Sequence, residues 1–398
     1  MSLLISYVGS WMQQVANSWL LLQLSNSAFL LGLLGLFTSL PFIAASMIGG
    51  TLADRVDRRK LLGFTQSAQI TTAVIQGLLV QLGLIQIWHI YLFGALNWTI
   101  GGFDAAGRQA LIPALVPRQY LPSAIALNAA LRRGGQILGP ALGGTTIALL
   151  GVSGAYWANA ASFVPVVLAV ALIRARPVTE NTHRRSMAHS MLDGLRYAGG
   201  RPLIASLLGI EAISGIFANV NPLMAVFARD ILHVGASGFG LLLSMVGSGA
   251  LLGTAVLVAS GSRLVHGRYI ILATLLYPLV VIGFAFSRLY PLSLALLLGV
   301  GMLDMIGGTL RNTAVQLDVP DSYRGRIMGL LSIAGRGVSP LGGVQAGAVA
   351  SVLTVPVALV VGALVTMGWS VATVVRAPAI RAFSEGRAEG ELASSQAI

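Results

Sequence analysis

The sequence predicts an all-α membrane protein of twelve transmembrane helices, arranged as two six-helix repeats. Three observations carry that fold class. First, 56% of the 398 residues are hydrophobic and only 10% are charged, against roughly 25% charged in an average soluble domain. So few charges cannot cover the surface of a soluble protein of this length. Second, apolar stretches of about 18 or more residues recur along the chain, each long enough to cross a hydrocarbon core as a helix. An outer-membrane barrel would show short alternating segments instead. Third, the two halves of the sequence resemble each other.

Hydrophobic runs and turn signals place the twelve spans at 3–24, 28–52, 61–83, 87–107, 123–149, 152–173, 202–226, 236–259, 269–286, 291–312, 326–352 and 354–375. The first is too long for a secretory signal and has no basic flank before it. Native residues before Met1 are therefore expected. The absence of cysteine removes disulfides and thiolate metal sites.

The net charge of +12 raises the question of nucleic acid, and the positions of the charges answer it. If the loop after the second span is cytoplasmic, inner loops and tail hold 20 of the 25 basic residues. Outer loops hold only Arg229 and Arg288, and Arg132, Arg133 and Arg336 fall within spans. That asymmetry is the positive-inside pattern and puts both termini in the cytoplasm. The basicity is topology, and no nucleic-acid partner is expected.

The longest polar stretch, 174–201, reads as a cytoplasmic linker between an N-terminal half (1–173) and a C-terminal half (202–376), with a cytoplasmic tail at 377–398. "RQALIPALVPRQYLPSAIALNAALRRGG" aligns with "RNTAVQLDVPDSYRGRIMGLLSIAGRG": Arg108 with Arg311, Pro117 with Pro320, and Arg133 with Arg336, each offset by 203. A worn copy of the loop "LADRVDRRKLL" is found in "GSRLVHGRYII", which keeps Arg55 as Arg263 at offset 208. Such a duplication points to a transporter built from two parallel repeats.

The residues then carry a family resemblance. "GGTLADRVDRRKLL", residues 49–62, has six charges between Asp54 and Lys60. It resembles the loop 2–3 signature of the major facilitator superfamily, G-x-x-x-D-R-x-x-R-R/K, departing at Asp57 where many members have glycine. "GQILGPALGG" in the fifth span resembles the G-x-x-x-G-P-x-x-G-G signature of exporters and antiporters. "VPDSYRGR" and "ARDILHVGASGFGLL" are similar to the branch containing the enterobactin exporter and macrolide efflux proteins. The resemblance covers nearly the whole chain and implies the major facilitator fold.

It also implies roles. Asp54, Arg55, Arg58 and Arg59 would form a conformational latch, Asp54 meeting the start of the eleventh span near Arg326 and Arg58 pairing with Asp104. Arg108, Arg263, Asp304 and Arg311 would complete this latch and its second-half copy. The alternative is a hairpin that only anchors topology. In the fifth span, Gly135, Gly139, Gly143 and Gly144 keep one face bare for close helix packing, and Pro140 permits a bend. By resemblance this bend seals an interface with the eighth span, whose Gly247, Gly249 and Gly253 would answer it.

Charges at membrane depth are costly and mark function. Glu211 lies about 14 Å into the seventh span from Pro202, close to the midplane. It is the candidate for carrying the coupling proton or the positive charge of a substrate. The competing reading is a salt bridge to an arginine of the inner vestibule. Arg132, Arg133 and Arg336 pair with carboxylates, line that vestibule or snorkel. Gln13, Gln14, Asn17, Asn97, Trp98, Asn219 and Asn221 are candidates for lining a cavity, with interhelical hydrogen bonding as the alternative. Neither clustered metal ligands nor paired carboxylates indicate an enzyme, and no sizeable soluble domain indicates a receptor. The expectation is a monomeric proton-driven exporter of a small amphiphilic molecule in the plasma (inner) membrane, without cofactor or metal. A lysolipid flippase or an importer is the alternative.

Overall fold

The computed structural model describes residues 1–53, 56–172, 187–376, 380, 381 and 383. They form two compact units: Met1–Thr182 with Leu223–Ser244, and His183–Pro222 with Met245–Ile398. Among the described residues, eight helical stretches are long and apolar enough to cross a membrane.

The first unit contains α1 (Ser2–Ser25), α2 (Ala28–Ala53), α3 (Arg58–Gln81), α4 (Ile87–Leu115) and α5 (Leu121–Leu172). Asn26, in the left-handed conformation at φ 50°, ends α1, its N–H bonding back to the Leu22 carbonyl. Asp57 starts α3 by accepting from the Arg59 backbone N–H at 2.9 Å. The residue that departs from the family pattern is thus a helix cap. The long α5 is two helices joined at Gly151, whose φ of 74° is one that side-chain-bearing residues avoid. This position separates the fifth and sixth predicted spans.

Between helices in lipid there is no hydrophobic drive, so small residues and polar contacts decide packing. A Cβ on Gly135 would fall 2.5 Å from Tyr7 Cβ, and one on Gly143 would fall 2.8 Å from Met12 Cα. Gly139 likewise faces Val8 and Trp11, so three of the four signature glycines receive α1. Gly102 seats α4 on Ala45 of α2, where a Cβ would lie 2.8 Å from its neighbour. The Leu223–Ser244 segment, which the sequence puts in the second repeat, packs within this unit. It contains α8 (Met224–Val226), a π-helical turn (Phe227–Ile231) and the start of α9 (Ala236–Ser260).

The second unit contains α6 (Met187–Gly199), α7 (Pro202–Phe217), α10 (Gly267–Phe286), α11 (Tyr290–Asp318), α12 (Asp321–Ser332), α13 (Ser339–Val352) and α14 (Val355–Arg376). The expected span over 202–226 breaks after Phe217. Pro222 lacks a donor for a continuing helix, and Asn219 takes over locally, its Oδ1 accepting from the Asn221 N–H at 3.1 Å. The expected span over 326–352 begins earlier, at Asp321, and is interrupted by a π-helical turn, Ile333–Gly337. The fourth and tenth spans run on to Leu115 and Asp318. Arg108 and Arg311, read from sequence as belonging to inner loops, are therefore buried within helices, at 9% and 5% exposure. Each has a carboxylate partner, which lets the helix carry a charge past its apolar run.

Candidate functional site

Two polar clusters lie inside the units. In the first unit, Asp104 and Arg108 are one turn apart on α4, with Arg108 Nε donating to Asp104 Oδ2 at 2.5 Å. The other carboxylate oxygen accepts from Gln66 Nε2 at 2.7 Å and from Thr65 Oγ1 at 3.2 Å, both on α3. Arg108 also sits over the Tyr7 ring of α1, 5.3 Å from its centroid, a favourable place for a guanidinium. Deeper in the unit, amide side chains join four helices. Gln13 Nε2 donates to Gln76 Oε1 at 2.5 Å, and Gln76 Nε2 to Asn17 Oδ1 at 3.3 Å. Tyr156 donates to Asn17 Oδ1 at 2.6 Å, Thr72 to Asn97 Oδ1 at 2.6 Å, and Asn159 to Gln13.

Three of the candidates for cavity lining, Gln13, Asn17 and Asn97, therefore take part in interhelical hydrogen bonds. Gln14 is exposed, and Trp98 is edge-on to Phe42 at 5.5 Å. In the second unit, Asn219 donates to Ser339 Oγ at 3.0 Å, bridging the break after α7 to α13.

The second cluster centres on Glu211 of α7. Arg311 of α11 donates through Nε to Glu211 Oε2 at 2.7 Å, with side-chain exposures of 6% and 20%. Tyr277 of α10 lies within electrostatic range of Glu211, Arg311 and Asp304. Gly335, in the π-helical turn, leaves room for the carboxylate: a Cβ there would fall 2.7 Å from Glu211 Oε1. Two helices and a backbone turn thus meet at one ion pair. A buried pair of this kind ties two helices together, and removing either partner leaves a charge in low dielectric. The sequence singled out Glu211 by depth but placed its arginine elsewhere. The signal that could have found Arg311 was the duplication itself, since its partner Arg108 follows an in-helix aspartate.

The remaining candidates separate. Asp54 and Arg55 lie outside the described residues. Arg59 closes the end of α5, its Nε donating to the Val170 carbonyl at 2.9 Å and Nη2 to Ala171. There it neutralises the carbonyl end of the helix. Arg58 is partly exposed and Arg263 exposed. Arg326 pairs with Asp193 of α6 at 3.7 Å. Arg133 donates to Gln136 at 2.9 Å, and Arg336 falls in the π-helical turn. Pro140 and Gly144 meet α9 at its start: Gly144 faces Ala236 and Gly240, and the Ala141 N–H donates to Ser244 Oγ at 3.0 Å. Gly249 and Gly253, expected to answer the fifth span, pack instead on Leu298 and Met302 of α11. No group of metal ligands occurs among the described residues.

Comparison with known proteins places this architecture. The chain is 23% identical over 342 residues to the staphyloferrin A transporter of Staphylococcus aureus, covering 84% of each chain. It is 25% identical over 357 residues to the multidrug efflux pump Tap of Mycolicibacterium fortuitum, covering 86% of each. It is 26% identical over 335 residues to the enterobactin exporter EntS of Escherichia coli O1:K1 / APEC, covering 82% of this chain and 78% of that one. Its fold matches a bacterial homologue of the human lysosomal transporter Spinster with a TM-score of 0.69 at 14% identity, covering 96% and 95% of the two chains. The nucleoside transporter NupG gives 0.69 at 13%, covering 96% and 99%. The transmembrane secretion effector model matches residues 1–390. With that match spanning both clusters, the chain belongs to the transmembrane secretion effector family of the major facilitator superfamily, a multi-pass membrane transporter and not an enzyme.

Proposed function

We propose that the protein exports a small amphiphilic molecule across the inner membrane, exchanging it for protons by alternating access. In this reading the chain has twelve spans in two six-helix repeats, both termini are cytoplasmic, and no cofactor beyond the proton gradient is used. The supporting observation is the Glu211–Arg311 pair. It is a carboxylate about 14 Å along α7, tied to an arginine on another helix, with Tyr277 of α10 within electrostatic range. Loading Glu211 with a proton releases Arg311, and releasing the proton restores the tie. This gives a two-state element that a gradient can bias. The names of the relatives, which include a siderophore exporter and a multidrug efflux pump, support export of drug-like or siderophore-like molecules.

The test begins with susceptibility profiling of a deletion strain to obtain a substrate. Uptake into proteoliposomes under an imposed pH gradient follows. Glu211→Gln should lose gradient-driven transport while keeping substrate binding or exchange. Unchanged gradient dependence in that variant would move the coupling site elsewhere.

A further inference from the structure

The polar connector between the halves holds a helix that hydrophobic-run analysis passes over. From Met187 to Gly199, Met187, Met191, Leu195 and Ala198 recur at helical spacing, and the segment folds as α6. It packs on α12. Gly194 allows the approach: a Cβ there would fall 3.2 Å from Arg326 Cβ and 3.3 Å from Leu330 Cδ1. Asp193 pairs with Arg326 at 3.7 Å. The rings of Tyr197 and Tyr323 stack at 4.3 Å with 16° between planes, and Ala198 is buried in the same apolar cluster as Ile327 and Leu331.

Two cations complete the arrangement. Arg326 lies over the Tyr323 ring at 5.2 Å, and Arg201, which precedes α7, lies over the Tyr197 ring at 5.6 Å. Burial pushes the Tyr197 hydroxyl above its ordinary value, Arg201 opposing and Asp318 and Tyr323 adding. The ring therefore stays neutral, and among the described residues its buried hydroxyl has no hydrogen-bond partner. The ring holds the contact, and the hydroxyl contributes nothing to it.

The consequence lies one helix length away. Arg201 stands at the start of α7, ten residues or about 15 Å before Glu211. Tyr323 stands near the start of α12, twelve residues or about 18 Å before Gly335. Glu211 and Gly335 are the residues that meet at the ion pair. Fixing the starts of the two helices to one short strap therefore fixes the rungs at which their middles meet.

We propose that the connector helix is a positioning element for the Glu211–Arg311 pair, with Asp193 and Tyr197 setting how the π-helical turn of the eleventh span seats against Glu211. This rests on the reading that the pair is the working site; Tyr277 lies within electrostatic range of the pair and of Asp304. Asp193 and Tyr197 touch neither substrate nor proton. They act through helix placement.

The test uses the absence of cysteine from the chain. A single Ala334→Cys reporter is placed in the π-helical turn of the full-length transporter in liposomes, and its labelling rate by N-ethylmaleimide is followed between pH 6 and 8, a window of about two units around neutrality. Tyr197→Ala and Asp193→Asn, each added to the reporter, should raise the rate several-fold and change its pH dependence. Tyr197→Phe should restore the parent rate at every pH, because only the ring is used. Asp193 is partly exposed, so Asp193→Asn keeps the test open if Tyr197→Ala fails to fold. An unchanged rate in Asp193→Asn, or a rate raised as much by Tyr197→Phe as by Asp193→Asn, overturns the proposal. Failure of the underlying reading looks different: Glu211→Gln would then keep gradient-driven transport while the labelling differences persist.

Discussion

Arg108 and Arg311 occupy matching positions of two similar sequence stretches, yet they are held in different ways. Arg108 takes its carboxylate from its own helix, one turn back, and meets the first helix of its unit through the face of Tyr7. Arg311 takes its carboxylate from α7, where Glu211 stands at an offset of 204 from Tyr7. The offset that pairs the arginines, 203, would put glycine at 307 in the place of Asp104. One half thus carries a local pair braced by Gln66 and Thr65. The other carries a pair that spans two helices, with the backbone of Gly335 close to the second carboxylate oxygen. The matching positions keep the cation and differ in the source of the anion, the same helix in one case and a neighbouring helix in the other.

That difference makes the two arginines unequal under mutation. Arg311→Met should abolish transport and strongly destabilise the protein, since breaking a buried pair leaves a lone charge at a cost of about 3–5 kcal/mol. Arg108→Met should cost less, because Asp104 keeps two hydrogen-bond donors. Flux in proteoliposomes and the thermal midpoint in detergent compare them. Equal losses would mean that the first-half pair also works as a helix-to-helix tie.

The acidic partners sharpen the same contrast. Asp104 is 8% exposed with three partners on two helices, whereas Asp304 lies exposed on α11. Asp104→Asn should lower activity more than Asp304→Asn. A larger loss at Asp304 would place it in the substrate path. Gly335→Ala comes next. Its new Cβ would press on Glu211 Oε1, but that carboxylate end can swing, so we expect a several-fold change in flux with little change in folded yield.

How much of this was legible follows from what each signal measures. Composition and run length reveal which segments avoid water, so most of the apolar helices could be read directly, whereas the transporter class came from the internal similarity and the family resemblance. They say little about where a helix ends once a charge is paired. Arg108 and Arg311 looked like loop residues because the apolar run stops near them; the Arg108 pair is local to α4, one turn apart, but the Glu211–Arg311 pair is tertiary. Depth counted along a helix found Glu211, since a lone charge in an apolar run stands out. The connector helix was missed for the opposite reason: its apolar stripe is diluted by charges and polar residues. Helical periodicity within 187–198, rather than mean hydropathy, carries its signal.

The hairpin after α2 gives the smallest and most discriminating test. Asp57 departs from the family pattern of glycine, and it caps α3 through the Arg59 N–H at 2.9 Å. The cap is exposed, so its loss should cost what helix caps ordinarily cost. Replacing such a residue by alanine costs about 1 kcal/mol, and by glycine only a few tenths. Asp57→Gly should therefore leave the thermal midpoint and flux near those of the parent, and Asp57→Ala should lower the midpoint slightly with flux unchanged. Asp54→Asn or Arg58→Ala, at equal folded yield, should slow flux if the hairpin is a latch and leave it intact if it is only an anchor. Should Asp57→Gly slow flux as much as Asp54→Asn does, with an unshifted midpoint, then Asp57 belongs to the latch and capping is its lesser role.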